Sequence, residues 1–179
     1  MKETVSLNVR QDLSEDNFEA LFVDILFPKS QPFLVGVCYR PPSDSGFLGR
    51  FREIVSEIDP GIEAHILGDF NICIKQGRSS LARHYRGILD SFSFVQLIDQ
   101  PTRITANSSS VLDHILTNSE PKVVKSGVMD LSLSDHQAVY FIRGAPANGG
   151  GGIPKIQKQR VMKEYSKERL HDGFCFSCH

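Results

Sequence analysis

Hydrophobic positions follow two rhythms along this chain. Phe18–Phe27 and Phe33–Tyr39 are compact runs rich in Val, Ile, Leu and Phe, closed by Pro28 and by Arg40-Pro41-Pro42. They predict two adjacent strands joined as a hairpin. Phe47, Phe51, Ile54, Val55 and Ile58 then recur at helical spacing until Pro60-Gly61 stops them. Ala64–Leu67 is a short apolar strand that runs into Gly68-Asp69-Phe70-Asn71, and Ser79–Phe92 predicts a second helix with Leu81, Tyr85, Ile88, Leu89 and Phe92 inward. Further short strands are expected at Val95–Ile98, Val111–Leu116, Val123–Met129 and Ala138–Arg143. No regular strand-helix-strand rhythm emerges, so the expected class is α+β, a sheet or sandwich flanked by helices.

The same pattern divides the chain. Residues 1–17 show no strand rhythm and read as a lead-in. Residues 18–144 form the expected domain. Ala145–Pro154 (Ala-Pro-Ala-Asn-Gly-Gly-Gly-Gly-Ile-Pro) reads as a linker, and residues 155–179 as a basic, helix-prone tail.

Composition narrows the class. A length of 179 residues supports one ordinary domain with its own core. No apolar run approaches the roughly 20 residues of a membrane span, so no membrane partner is expected. Met1-Lys2-Glu3-Thr4-Val5 opens on charge without an apolar block behind it, unlike a secretory signal. Four cysteines are too few for a disulfide scaffold, and Cys38 and Cys73 sit in apolar runs. The default is a reducing intracellular compartment, nuclear or cytoplasmic. Cys175-Phe176-Ser177-Cys178-His179 has the spacing of a c-type haem attachment. Without an export signal haem is not expected, and two cysteines with one histidine fall short of a zinc set.

The formal net charge of −1 names no partner, but its distribution is uneven. Residues 1–70 carry 6 basic and 12 acidic side chains; between Asp69 and Asp90 there is no acid, while Lys75, Arg78, Arg83, His84 and Arg86 all fall there. That run, with Arg103 further on, is the candidate phosphate-contacting surface; its plainer reading is a solvated helix face.

Four polar groups stand where strands end: Tyr39, the Asp69/Asn71 pair, Asp113-His114 and Asp135-His136. Carboxylates with an amide oxygen suit a hard divalent cation such as Mg²⁺, with Mn²⁺ as a substitute. Asp69 and Asn71, two apart on an extended backbone, are expected on one side of it. A histidine beside a carboxylate can move a proton or steady developing charge. Taken singly, each element has a bland explanation, Gly-Asp-Phe-Asn as a turn above all.

The ordered series carries more than its parts. Val37-Cys38-Tyr39-Arg40-Pro41-Pro42, Ile66-Leu67-Gly68-Asp69-Phe70-Asn71, Leu97-Ile98-Asp99-Gln100-Pro101-Thr102-Arg103, Val111-Leu112-Asp113-His114-Ile115 and Ser134-Asp135-His136 occur in that order. Over residues 18–143 they resemble the endonuclease/exonuclease/phosphatase superfamily, most closely the endonuclease domain of non-LTR (LINE-type) retrotransposons. The resemblance implies a four-layer β-sandwich flanked by helices. It further implies that the Tyr39 hydroxyl lies against a scissile phosphate, and that Asp69 and Asn71 orient the attacking water and hold phosphate or metal. By the same resemblance Asp113 fixes the tautomer of His136, and Asp135 joins Asp69 at the metal. The implied reaction is Mg²⁺-assisted hydrolysis of a phosphodiester in duplex DNA.

In that family an asparagine-bearing strand and a glutamate-bearing unit lie upstream of the strand matched by Phe18–Phe27. Neither is found in residues 1–17. The expectation is a partial sandwich missing its first strands, with a weak metal site, weak or absent nicking, and apolar sheet surface left bare. Two other readings stand beside it. One is a non-catalytic DNA-binding or structural remnant. The other is a phosphatase-like member acting on small phosphoesters, against which Tyr39-Arg40-Pro41-Pro42 and Gln100-Pro101-Thr102-Arg103 speak.

Overall fold

A computed structural model describes residues 5–75, 79–132 and 134–144. In chain order the elements are β1 (Ser6–Val9), β2 (Ala20–Leu26), β3 (Phe33–Tyr39), α1 (Phe47–Ser56), β4 (Ala64–Asp69), α2 (Ser80–Ser91), β5 (Val95–Gln96), β6 (Arg103–Ile104), β7 (Ser109–Ser110), β8 (Asp113–Thr117), β9 (Val123–Met129) and β10 (Ala138–Arg143), with short 3₁₀ turns at Gln11–Leu13 and Glu120–Lys122. The class is α+β, as the pattern predicts.

Six strands form one sheet in the order β1-β2-β3-β4-β8-β5. The β2–β3 pair is the expected antiparallel hairpin, β3 and β4 run parallel with α1 as the crossover, and β4–β8 is antiparallel. Because side chains alternate across a strand, each face reads as a row of registered positions. One face carries Phe22, Leu34, Cys38, Ala64, Ile66 and Leu116, all buried in the main core. Both helices pack there. Phe47, Leu48, Phe51, Ile54 and Val55 of α1, and Ala82, Tyr85, Ile88 and Leu89 of α2, are buried at the spacing of one helical face. The Ser79 hydroxyl caps α2 by accepting the Ala82 N–H.

The other face is only partly covered. The β9–β10 ribbon lies on it through a second core in which Val128, Val139, Phe141 and Leu67 pack with Ile98, Val111 and Ile115. Buried Glu63 secures the ribbon at the far end of the sheet from the site. Its carboxylate accepts from Arg143 Nε at 2.5 Å and Nη2 at 2.9 Å, from Lys122 Nζ at 2.9 Å, and meets His65 Nε2 at 2.8 Å. Burial alone would push Glu63 up, but these donors outweigh it and hold its pKa at about 2. Beyond the ribbon, Leu7, Val9, Leu21 and Val37 remain exposed on the same face, the bare surface the sequence predicts.

Two expectations need correction. The lead-in is not strandless: Ser6–Val9 pairs antiparallel with β2 and forms the sheet edge. Val5-Ser6-Leu7-Asn8-Val9 does alternate apolar and polar positions, a short period-two signal that the lead-in reading passed over, and all four strand residues are exposed. Second, the strand expected at Ala64–Leu67 continues through Asp69. Gly68 permits this, because a Cβ there would lie 1.8 Å from the Cys38 carbonyl oxygen on β3. The expected linker, tail and terminal Cys175/Cys178/His179 group lie outside the described residues. No helix among the described residues is long and apolar enough to cross a membrane.

Candidate active site

The site is a consequence of register. Tyr39 pairs with Asp69 across the parallel β3–β4 ladder, and Asp69 pairs with Asp113 across β4–β8. Registered neighbours share a face, so three strand ends present Tyr39, Asp69 and Asp113 in a row. Tyr39 is exposed at the rim.

His136 arrives from the segment before β10. Its backbone bridges to Arg103 and the next residue, Gln137, donates its N–H to the Thr102 carbonyl at 2.6 Å. Its Nδ1 lies 3.1 Å from Asp113 Oδ2. With Nδ1–H donating to the carboxylate, Nε2 is the free nitrogen. One ligand atom each from Asp69, Asp113 and His136 fall within 4.8 Å of one another, all half-buried. The Asp69 carboxyl titrates above the ordinary range because burial and the neighbouring Asp113 disfavour its charge, against the Asn71 N–H and His136. Two carboxylates held together with an imidazole are a donor set that a divalent cation fits.

Asn71 follows just beyond the end of β4. The chain leaves the extended conformation at Phe70, and Asn71 sits in the left-handed region at φ 48°. Its N–H donates to Asp69 Oδ1 at 2.9 Å and its Nδ2 to the Arg40 carbonyl at 2.9 Å. Phe70 between them is fully buried, stacked on the His114 ring and edge-on to Phe47 and Phe51. Gly-Asp-Phe-Asn is therefore a strand end, a core anchor and a tight turn in succession.

Asp135 stands apart from the converging trio. Its Oδ2 accepts from Arg103 Nε at 2.8 Å, an ion pair that holds its carboxyl below the ordinary range. Of the other basic candidates, Lys75 and Arg83 are exposed. Arg86 donates through Nη2 to the Ile74 carbonyl at 3.0 Å, which ties α2 to the preceding loop. Arg78 lies outside the described residues.

Thr102 and the Tyr85–His114 pair carry parts the residue types did not reveal. Thr102 is fully buried, and its Oγ1 accepts the N–H groups of Leu112 at 3.0 Å and Asp113 at 2.9 Å. It thus fixes Asp113 through its hydroxyl and holds Gln137, the neighbour of His136, through its carbonyl. The only sequence signal was its place in Gln100-Pro101-Thr102-Arg103. Behind Asp113, the Tyr85 hydroxyl lies 3.0 Å from His114 Nδ1, and His114 Nε2 faces the Val111 carbonyl at 3.3 Å. Burial pushes His114 down to about 4, so it is a neutral core imidazole.

A mixed sheet with helices on one face and a carboxylate–histidine cluster at its strand ends defines an endonuclease/exonuclease/phosphatase-type domain. The family model described as endonuclease-reverse transcriptase matches residues 33–140, and the chain belongs to that family. Among solved structures it is similar to the endonuclease domain of TRAS1, a telomere-specific non-LTR retrotransposon, at 17% identity and TM-score 0.67, covering 78% of this chain and 68% of that one. It is also similar to an endonuclease/exonuclease/phosphatase family protein from Leptotrichia buccalis, at 20% identity and TM-score 0.54, over 70% of this chain and 53% of that one. A family protein from Bacteroides thetaiotaomicron follows at 16% identity and TM-score 0.50, over 68% and 54%. At these identities the likeness is one of fold, and the chain spans about half the length of the two bacterial proteins. No curated protein matches the chain.

Proposed function

We propose that this domain is a metal-dependent phosphodiester hydrolase acting on DNA, with low intrinsic activity. The observation that carries the reading is the meeting of Asp69, Asp113 and His136 within 4.8 Å at the end of the sheet. Asp69 and Asp113 would hold a divalent cation, Mg²⁺ or Mn²⁺, together with an oxygen of the substrate. Bound there, the cation would polarise the phosphoryl group and offset its developing charge. Asp113 orients His136 through Nδ1, leaving Nε2 to exchange a proton with water or hydrogen-bond a phosphate oxygen. Tyr39, one strand away and exposed, would donate its hydroxyl to the phosphate; Asn71 would orient the water, and Asp135 would serve the metal once released from Arg103. Lys75, Arg78 and Arg83, with Arg86 and Arg103, would follow the DNA backbone. Low activity is expected because Asp135, the second carboxylate expected at the metal, is engaged by Arg103 rather than converging with the trio.

Supercoiled plasmid incubated with Mg²⁺ or Mn²⁺ tests the reading. Nicking is expected that Asp69→Ala and His136→Ala abolish. Salt-sensitive DNA retention without nicking, lost on neutralising Lys75 and Arg83 but kept in Asp69→Ala, would instead establish the non-catalytic DNA-binding reading.

A further inference from the structure

Arg40 is buried at 4% exposure, yet among the described residues no carboxylate lies within ion-pair distance of it. Its neighbour Asp44 is committed to Arg50 at 2.5 Å. A cation placed so costs desolvation that no opposite charge offsets. Its planar fork instead gathers backbone carbonyls, with Nη2 donating to Asp44 at 3.0 Å and Pro42 at 3.4 Å, and Nη1 to Asn71 at 3.4 Å. The Arg40 backbone returns the contact: its N–H donates to the Asp69 carbonyl at 2.9 Å and its carbonyl accepts Asn71 Nδ2 at 2.9 Å.

The two segments therefore meet through three bonds between residues 40 and 69–71, two through the Arg40 backbone and one through its guanidinium, whose other arm anchors it to Pro42 and Asp44. The clamp closes on the one turn that places Asn71 at positive φ and aims its N–H at Asp69 Oδ1. Asparagine tolerates that conformation, and here its side chain is tied down by the Arg40 carbonyl. A lysine is a point charge and cannot span carbonyls on three residues in a plane, whereas a guanidinium can.

We propose that Arg40 is a positioning residue for the Asp69/Asn71 turn, holding the carboxylate and the amide in their working geometry without touching substrate or metal. The inference rests on the site reading above only for its metal-binding arm.

The test compares wild type with Arg40→Lys in three measurements: the thermal midpoint, hydrogen exchange of the Asn71 amide, and Mn²⁺ affinity by electron paramagnetic resonance. Expected for Arg40→Lys is a folded protein with a lowered midpoint, in which Asn71 exchange speeds up more than that of main-core amides and Mn²⁺ affinity weakens, each by about tenfold, the scale of one hydrogen bond to a charged group. Asn71 exchange that is unchanged, or faster only in step with main-core amides, in a folded Arg40→Lys would overturn the proposal. If wild type binds no Mn²⁺ that Asp69→Ala removes, the metal reading fails and the exchange arm still judges Arg40. If Arg40→Lys does not fold, the wild-type guanidinium decides by NMR: hindered rotation with separate Nη signals supports the clamp, and free rotation overturns it.

Discussion

His136 and Asp113 meet at 3.1 Å although 23 residues separate them, and the bond joins the ribbon side of the domain to a strand end of the main sheet. The two residues come from segments that Thr102 also touches, so their alignment is built into the backbone. Asp113→Asn keeps the shape but replaces an acceptor that orients Nδ1–H with an amide that can present either donor or acceptor. Plasmid nicking by Asp113→Asn is therefore expected to fall by roughly a hundredfold, with folding intact, since positioned acid–base groups contribute on that scale. A nicking rate within a factor of about two of wild type would remove Asp113 from the chemistry.

Thr102 makes a sharper demand on its side chain than burial alone would. Its hydroxyl is the acceptor for two backbone N–H groups in a place water does not reach. Thr102→Val preserves volume and orphans both donors, an expected loss of about 2 kcal/mol or more by urea unfolding. Thr102→Ser restores the acceptor and removes one methyl, so it should cost only about 1 kcal/mol. If the two variants were equally unstable, packing rather than hydrogen bonding would be the role of this residue.

The hydrophobic rhythm made the β2–β3 hairpin, both helices and the strands β9 and β10 legible as elements, while the pairing of β9 with β10 was not read from it. β1 carries only a brief alternation, Val5-Ser6-Leu7-Asn8-Val9, too short to stand out beside the longer runs, and its four residues are all exposed. The site was legible as residue types, and Asp69, Asp113 and His136 do converge. What the types could not show is tertiary detail. The turn that lifts Asn71 to positive φ depends on the Arg40 carbonyl 31 residues away, and the diversion of Asp135 to Arg103 spans 32. Neither leaves a local periodicity. Arg86 and Arg103 look like free cations in the sequence, yet each has an intramolecular partner in the fold.

Acid should weaken this fold in two separable steps. His114 is buried and neutral, with its pKa pushed down to about 4. Below the ordinary value of about 6.5 the unfolded chain takes a proton that the native imidazole refuses, so stability falls as pH drops from about 6.5 to 4, by something like 3 kcal/mol. Buried His65, also lowered by desolvation, acts in the same direction. Glu63 operates at lower pH: held at about 2, its carboxylate stabilises the fold above the ordinary carboxyl range and loses that contribution as pH falls toward 2. Urea midpoints at pH 7.5, 6, 5 and 4.5 check the upper step. His114→Gln should flatten the slope there, and an undiminished slope would assign it to other groups.

Leu21 and Val37 are register partners on β2 and β3, 53% and 54% exposed, on the face opposite Phe22. With Leu7 and Val9 they form an apolar strip that the β9–β10 ribbon does not reach. Such a strip binds hydrophobic dyes and promotes association. Threonine suits a strand as well as valine does while presenting a hydroxyl, so the double variant Leu21→Thr/Val37→Thr should lower anilinonaphthalene sulfonate fluorescence and light scattering. Its stability should change by no more than about 0.5 kcal/mol, as for exposed positions generally. Phe22→Ala, one residue along the same strand but facing the helices, removes a ring that sits over Gly36 and should cost about 3–5 kcal/mol. A comparable loss from the threonine pair would mean that the strip is packed in solution and that the sandwich is more nearly closed than its exposed positions indicate.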